Sequence, residues 1–315
     1  MKILNTFFYV IFLCVLSVLL LEGMLRFSNS SMKNYNIEMW KYSGSLKKLS
    51  ENKILGHEHK LNTSAILQSV EIRTNEYGLR DESIKNLNAK RRILSLGSSI
   101  ALGWGVNENK TMTHILEKKL RARGQDVDVL NAGIGNYNAL RYTTLYFEKL
   151  YNLKPTDIIV NFFLRDAEVL EIGGGNILLR NSQLAVTLFD LYNRTFNKTG
   201  EKTIVDHYKK LYNKDARGYK IAIDSLKRLS DSAKKDGINI YLTMIPDIHN
   251  LTDYKLSFIH DLMKANAEKL GFVYIDMYPM FKGLKPKQIW AMKGDPHPNA
   301  FGHELMAEAI YPYFL

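Results

Sequence analysis

From residue 92 onward, short apolar runs alternate with longer amphipathic runs. This alternation predicts βαβ units, in which successive strands lie parallel and helices cover both faces of the sheet. The predicted strands are 93–96, 127–131, 158–163, 238–244 and 272–276. The predicted helices are 112–123, 139–151, 216–235, 255–270 and 300–311. We therefore expect an α/β chain with a three-layer α/β/α sandwich and a parallel sheet of about five strands.

One long segment, residues 167–215, interrupts this alternation after the third predicted strand. An insertion at this place lies over the carboxyl edge of the sheet, where it is either a lid that contacts substrate or an inert surface excursion. It contains Gly173-Gly174-Gly175, which does not stand between a strand and a helix with phosphate-loop spacing. We therefore expect no nucleotide cofactor there.

The N-terminal segment 1–26 predicts a transmembrane helix. An apolar run from Phe7 to Leu21, with its apolar flanks, reaches the roughly 20 residues that span a bilayer. No small-residue cleavage pattern follows the run, and Leu13 before Cys14 is unlike a lipoprotein signal, so an uncleaved anchor is favoured over a cleaved signal peptide. Basic residues on both flanks leave the orientation open. We expect a single-pass protein of the cytoplasmic membrane with its main domain outside the cytoplasm.

The remaining boundaries follow from these two features. Residues 27–89 show no sustained periodicity, and we interpret them as a juxtamembrane stalk or an irregular first layer, in which 75–81 forms a turn that introduces the main domain at 90–315. The only cysteine, Cys14, excludes an intrachain disulfide and a cysteine-rich metal site. The net charge of +11 is scattered among acidic and amide residues, so we expect no nucleic-acid partner. Nothing in the motifs suggests a metal or a cofactor, and we expect neither.

Two motifs far apart in the sequence carry the candidate chemistry. Ser99 stands at a strand-to-helix turn, and Asp295 and His297 stand just before the last predicted helix. A serine hydroxyl becomes an effective nucleophile when an imidazole accepts its proton and a carboxylate orients that imidazole. Taken singly, the serine is an ordinary helix cap and the histidine a surface loop residue. A parallel sheet can bring both motifs together at the carboxyl ends of its strands.

These motifs resemble the sequence blocks of the SGNH, or GDSL-type, hydrolases. The similar segments, in the family's order, are 97–99, 131–135, 163–166 and 295–299. Ser98 stands where an aspartate is usual. Each block is a weak motif by itself, whereas four in order are a strong one, so the resemblance covers about 90–315. It implies a flavodoxin-like fold and hydrolysis or transfer of an ester-linked acyl group.

The resemblance also implies a role for each site residue. Ser99 is the expected nucleophile and His297 the general base, while Gly133 is expected to donate its backbone N–H to the oxyanion. The family's acid usually lies three positions before the histidine, where this chain has Gly294. Asp295 is the nearest carboxylate, and we assign it as the residue that orients the imidazole.

The largest departure from the family is Arg165, which replaces the asparagine of the oxyanion hole. Arginine could serve as a donor, or it could bind an acidic sugar. Asn136 and Asn138 are near enough in sequence to Gly133 to supply the amide instead.

The anchor and the segment 75–81 resemble membrane-tethered family members that accompany bacterial surface-polysaccharide genes. They imply a serine esterase or O-acyltransferase acting on acyl groups, most plausibly O-acetyl, of an envelope polysaccharide or glycolipid. A catalytically impaired glycan-binding protein, favoured by Arg165 and the shifted acid, is the competing interpretation. A lipase or thioesterase is a third, and the polar, Asn-rich insertion argues mildly against it.

Overall fold

The computed structural model describes residues 2–31, 34–84, 89–170, 177–196, 201–292 and 295–315, without the side chains of 2, 194, 201–203, 295 and 296. Its strands are β1 (Lys47–Leu49), β2 (His57–His59), β3 (Thr63–Leu67), β4 (Val70–Thr74), β5 (Arg91–Gly97), β6 (Val127–Gly133), β7 (Asp157–Phe163), β8 (Asn239–Ile245), β9 (Val273–Asp276), β10 (Trp290–Met292) and β11 (Asp295–Pro298). Its α-helices are α1 (Lys2–Ser28), α2 (Tyr35–Ser45), α3 (Ser99–Leu102), α4 (Met112–Arg121), α5 (Ala139–Leu145), α6 (Ile177–Asn181), α7 (Gln183–Phe196), α8 (Glu201–Leu211), α9 (Arg217–Asp236), α10 (Ser257–Leu270), α11 (Tyr278–Phe281), α12 (Pro286–Ile289) and α13 (Ala300–Ile310). Short 3-10 turns and one π turn, Tyr146–Leu150, connect some of these elements.

The central sheet has five parallel strands in the order β6-β5-β7-β8-β9. Each of them corresponds to one of the predicted strands, and the predicted fold class is confirmed. Because all five strands run the same way, the residues that follow them meet at one edge of the sheet. Both motifs of the candidate site lie at this carboxyl edge.

Alternate residues of the strands pack into two separate cores, which produces the three layers. Ile93 and Val129 lie in one buried cluster with residues of α4 and α13. Their neighbours Leu94 and Leu130 lie in the other, with residues of α5, α9 and α10. This is the period of two expected for strands that are covered on both faces.

Residues 35–84 form a layer that packs on the domain through their own apolar cluster. It consists of α2 and two antiparallel hairpins, β1–β2 and β3–β4. Tyr42 and Trp104 are both fully buried, and their ring centroids lie 5.3 Å apart. Arg80 belongs to this layer, and its buried guanidinium donates to the carbonyls of Leu102 and Gly103 at 2.8 and 2.6 Å. The loop after Ser99 is thereby fixed to the layer.

The N-terminal helix and the insertion stand apart from these layers. Residues Ile3–Ser31 are long and apolar enough to cross a membrane, and the apolar window is not buried in the protein. Signal sequences have the same length and apolar composition. The insertion contains α6, α7 and α8. Gly173-Gly174-Gly175 lies outside the described residues.

Candidate active site

The turn after β5 presents Ser99 at the carboxyl edge. β5 ends at Gly97, Ser98 is the N-cap of the short helix α3, and Ser99 is the first residue of that helix. The helix closes after one turn at Gly103, whose φ of 79° lies in the left-handed region that glycine adopts without strain. The serine is therefore held on a tight turn, with its hydroxyl directed into a cavity.

His297 meets Ser99 across this edge. Its Nε2 atom lies 2.7 Å from the Ser99 hydroxyl oxygen, a hydrogen-bond distance between residues that are distant in sequence. The histidine is buried on β11, which pairs with β10 in an antiparallel hairpin. The ring of Tyr35, from α2, contacts the imidazole in a tilted arrangement with centroids 5.6 Å apart. The pair has the geometry in which an imidazole takes a proton from a hydroxyl.

Asp295 lies on the same hairpin, opposite Met292 in the strand register. Its side chain is outside the described residues, so its role as the carboxylate that orients His297 stays a prediction.

Gly133 is not brought into the cavity. Its N–H donates to Oδ1 of Asn131 at 3.0 Å, so the predicted oxyanion donor already has an acceptor. A Cβ at this position would lie 2.1 Å from the backbone nitrogen of Leu102. The glycine is needed because β6 and α3 approach each other closely there. The structure thus places Gly133 behind the helix that carries Ser99 and away from the cavity that Ser99 lines.

Asn136, rather than Gly133, lies at the cavity. Asn136 lines the cavity beside Ser99 and has a φ of 64°. The preceding carbonyl, of Gly135, accepts hydrogen bonds from Nζ of Lys47 at 2.6 Å and Nε2 of His57 at 3.0 Å. Because the C=O and N–H of a trans peptide point in opposite directions, the N–H of Asn136 points away from Lys47 and His57.

The protonation state of His57 supports this orientation of the peptide between Gly135 and Asn136. Burial and the nearby charge of Lys47 lower the pKa of His57 to about 2, so the ring is neutral and its Nε2–H donates to the carbonyl of Gly135. The N–H of Gly135 donates to the Tyr42 hydroxyl at 3.0 Å. The residues that sequence reasoning missed are therefore Tyr42, Lys47 and His57, in the segment interpreted as a stalk or first layer. For Asn136, the available signal was that asparagine tolerates the left-handed conformation better than most residues.

Arg165 lines the same cavity, on the 3-10 turn that follows β7. Its Nε and Nη2 donate to one carboxylate oxygen of Glu168 at 3.1 and 3.0 Å. The Arg165 side chain is 62% exposed. Its partial desolvation at the cavity wall opposes the charged form, but the ion pair with Glu168 outweighs this and raises the pKa of Arg165. Glu168 was not singled out from the sequence, yet it fixes the direction of the guanidinium.

Two polar neighbours of Arg165 hold the local backbone. The carboxylate of Asp166 is buried and accepts the N–H of Phe163 at 3.1 Å, and burial raises its pKa well above the usual range. The side chain of Asn138 accepts the N–H of Arg141 at the start of α5 and donates to the carbonyl of Glu168 at 2.8 Å. Asn138 therefore connects the turn after β6 to the turn after β7. Both ends of its side-chain amide are engaged by backbone groups.

The cavity around Ser99 has a volume of about 660 Å³. Its walls combine apolar side chains, such as Phe163 and Ile204, with polar ones from the loop after β8. In that loop Nδ1 of His249 lies 2.8 Å from a carboxylate oxygen of Asp247. This volume falls within the range of pockets that hold small molecules or a few sugar units.

His303 has a structural place outside this cavity. It is fully buried in α13, and its Nδ1 accepts the N–H of Met112 at 3.2 Å. Burial lowers the pKa of His303 to about 3, which keeps the ring neutral.

A five-stranded parallel α/β/α sheet with a serine and a histidine in contact at its carboxyl edge defines an ester-hydrolysing serine enzyme. Residues 95–305 match the GDSL-like lipase/acylhydrolase family, and the chain belongs to that family.

Several solved structures are similar to the chain. They include a catalytic mutant of Axe2, an acetylxylan esterase from Geobacillus stearothermophilus, with 16% identity over 71% of this chain and 94% of that chain and a TM-score of 0.48. LAE5, an α/β hydrolase enzyme from the metagenome of Lake Arreo in Spain, has 17% identity over 71% and 94% of the two chains and a TM-score of 0.47. TesA has 15% identity over 70% and 97% and a TM-score of 0.44. No curated protein matches the sequence significantly.

Proposed function

We propose that the protein is a serine esterase or O-acyltransferase that removes or transfers an O-acetyl group on an envelope polysaccharide or glycolipid. The observation that carries the proposal is the 2.7 Å contact between the Ser99 hydroxyl and Nε2 of His297 at the wall of an open cavity. An acetyl ester of a sugar fits because the cavity combines apolar side chains, which can contact the methyl group, with polar ones, which can bind sugar hydroxyls.

In the proposed mechanism, the Ser99 oxygen attacks the ester carbonyl carbon while Nε2 of His297 accepts the hydroxyl proton. The tetrahedral intermediate collapses to an acyl-Ser99, and the same proton passes from His297 to the departing sugar oxygen. Water, or a second sugar hydroxyl in the transferase case, then attacks the acyl group with His297 again as base. Asp295 is proposed to orient the imidazole throughout.

The oxyanion is proposed to lie against backbone N–H groups of Ser99 and Asn136. The N–H of Asn136 is supported by its cavity position and by the fixed Gly135 carbonyl described above. Arg165 is proposed as the third donor. Its Nε and Nη2 are engaged by Glu168, which leaves the Nη1 end of the fork available to the substrate.

Arg165→Ala is expected to lower kcat by about 10²-fold with a modest change in KM, because an oxyanion contact exists mainly in the transition state. Steady-state kinetics on a neutral and an acidic acetyl ester is the measurement. If the loss is confined to KM for the acidic ester, Arg165 binds the acceptor instead. Arg165→Asn restores the family residue as a control, and a gain on small esters would show that the native side chain restricts simple hydrolysis.

We propose that α1 is an uncleaved anchor in the cytoplasmic membrane and that the domain lies outside the cytoplasm. The protein is then expected to remain with membranes after a high-salt wash, because salt does not screen hydrophobic burial whereas it releases proteins held by surface charge. The matched control is a variant without residues 2–28, of which a much larger fraction should be released from membranes by the wash. Recovery of a shortened soluble form from wild-type cells would show a cleaved signal. Protection of the domain from protease added to spheroplasts would reverse the orientation.

The proposed function is tested by a fluorophosphonate probe together with acetate release from acetylated glycans. The probe reacts with an activated serine, so wild type should be labelled and Ser99→Ala should not. The competing function, a glycan-binding protein without activity, is favoured by Arg165 at the asparagine position. It predicts no labelling of Ser99 and no acetate release.

A further inference from the structure

The insertion helix α7 directs its largest apolar side chains away from the protein. Leu188 is 56% exposed, Leu191 60%, Tyr192 58% and Phe196 70%. The spacing of these residues places them on one face of the helix. Single exposed apolar residues are common on soluble proteins, whereas a contiguous stripe of large ones indicates an interaction surface.

The opposite face of α7 contacts the protein. Val186 is buried there, and a carboxylate oxygen of Asp190 accepts a hydrogen bond from Asn36 of α2 at 2.8 Å. A surface helix of a soluble protein normally buries its apolar stripe and exposes its polar face. α7 has the reverse arrangement, so its exposed apolar face needs a partner of its own.

The start of α7 is attached to the end of the apolar segment of α1. The carboxylate of Glu22 accepts the N–H groups of Gln183 and Leu184 at 3.0 and 2.9 Å. Arg26 donates to the carbonyl of Asn181 at 2.7 Å. The start of α7 is therefore fixed directly beside the end of the apolar segment of α1.

The length of α1 locates this junction. At about 1.5 Å per residue, the run from Ile3 to Leu21 covers roughly the 30 Å of a bilayer's hydrocarbon core. If α1 spans, Glu22 and the first turn of α7 lie at the membrane surface. Tyrosine and phenylalanine beside leucine are typical of helices at that depth.

We propose that α7 is an interfacial helix whose apolar face, Leu188, Leu191, Tyr192 and Phe196, lies in the same bilayer that α1 crosses. The occupant of this face is lipid, since α7 starts where the apolar segment of α1 ends and a bilayer crossed by α1 would reach it. The polar face of α7 then holds the domain against the membrane through Asn36.

This placement also concerns the substrate. Asn36 contacts α7 and the adjacent Tyr35 contacts the ring of His297, so two consecutive residues connect α7 to the catalytic pair. Resting on the proposed esterase function, the inference is that the acetyl ester is carried by a membrane-embedded glycolipid rather than by a free polysaccharide.

The surface is tested with single-cysteine labels on the full chain in the Cys14→Ser background, reconstituted into phosphatidylcholine and phosphatidylglycerol vesicles. An NBD fluorophore is attached at Leu188→Cys, at Tyr192→Cys and, as control, at Ala122→Cys, an exposed site at the end of α4. We expect blue-shifted emission at 188 and 192, quenched by shallow nitroxide lipids several-fold more than at 122. Equal emission and quenching at all sites would overturn the proposal. Blue-shifted emission without lipid quenching would also overturn it, because a second protein copy would then cover the face.

The substrate inference is tested with Leu191→Glu, with Ala122→Glu as the matched control. On 6-O-acetylglucosyl diacylglycerol in vesicles, Leu191→Glu is expected to lose about 10-fold in acetate release, while its activity on soluble 6-O-acetylglucose stays near wild type. Equal rates of the two variants on the glycolipid would overturn the inference. Absence of wild-type activity on both esters would contradict the esterase function and, with it, the substrate inference, whereas the label measurement decides the membrane surface independently.

Discussion

Ser99→Ala is expected to lower kcat for acetyl-ester hydrolysis by about 10⁴- to 10⁶-fold and to leave the melting temperature near that of wild type. The hydroxyl is the proposed attacking atom, and its removal leaves only binding and the oxyanion donors. Ser99 is half-buried, so deleting one oxygen should cost little stability. Acetate release and a thermal melt on the same preparation are the measurements.

His297→Ala is expected to be as damaging as Ser99→Ala, and the double variant little worse than either, because the two residues act as one unit. Asp295→Ala should lose less, since an imperfectly oriented imidazole still accepts the proton. Ser99→Ala with wild-type activity would remove the nucleophile assignment. No effect at Asp295 would place the acid elsewhere or show that the pair acts without one.

Gly133→Ala is expected to reduce both stability and activity. The new methyl group would lie 2.1 Å from Leu102 N and 2.6 Å from Ala101 C, and these are backbone atoms that cannot rotate away. Overpacking of this kind costs about 1–3 kcal/mol or more. It would displace α3, which carries Ser99, so kcat should fall together with the melting temperature.

Asn136→Gly is the matched control for that substitution. Glycine accepts a φ of 64° readily and keeps the backbone N–H, so activity is expected to stay within a few-fold of wild type. If Gly133→Ala lost activity with an unchanged melting temperature, Gly133 would contact the substrate after all. A large loss in Asn136→Gly would show that the side chain of Asn136 takes part.

The sequence allowed the central sheet to be predicted because its signals are local. Apolar runs at β5, β7 and β8, each followed by turn residues and an amphipathic segment, define strands and helices without knowledge of their partners. The blocks around Ser99 and His297 then fixed which sheet edge holds the chemistry.

The oxyanion turn was harder to place, because its geometry depends on contacts between distant segments. Nothing local indicates that Tyr42, Lys47 and His57 converge on the peptide of Gly135. The exclusion of Gly133 from the cavity likewise depends on how closely β6 and α3 pack. A motif gives the order of residues along the chain. Which residue of the segment 133–136 lies at the cavity depends on packing, and only the structure shows it.

The hydrogen bonds to Gly135 also affect how short a fragment of the chain can be and still support the site. The family-matched region, 95–305, contains the serine and the histidine but excludes every side chain that clamps the Gly135 peptide, and it excludes Tyr35 on the imidazole. A fragment cut at those limits would lose the first half of β5 as well as the external support of the turn. We therefore expect the smallest active fragment to be longer than the family-matched region and to begin before α2.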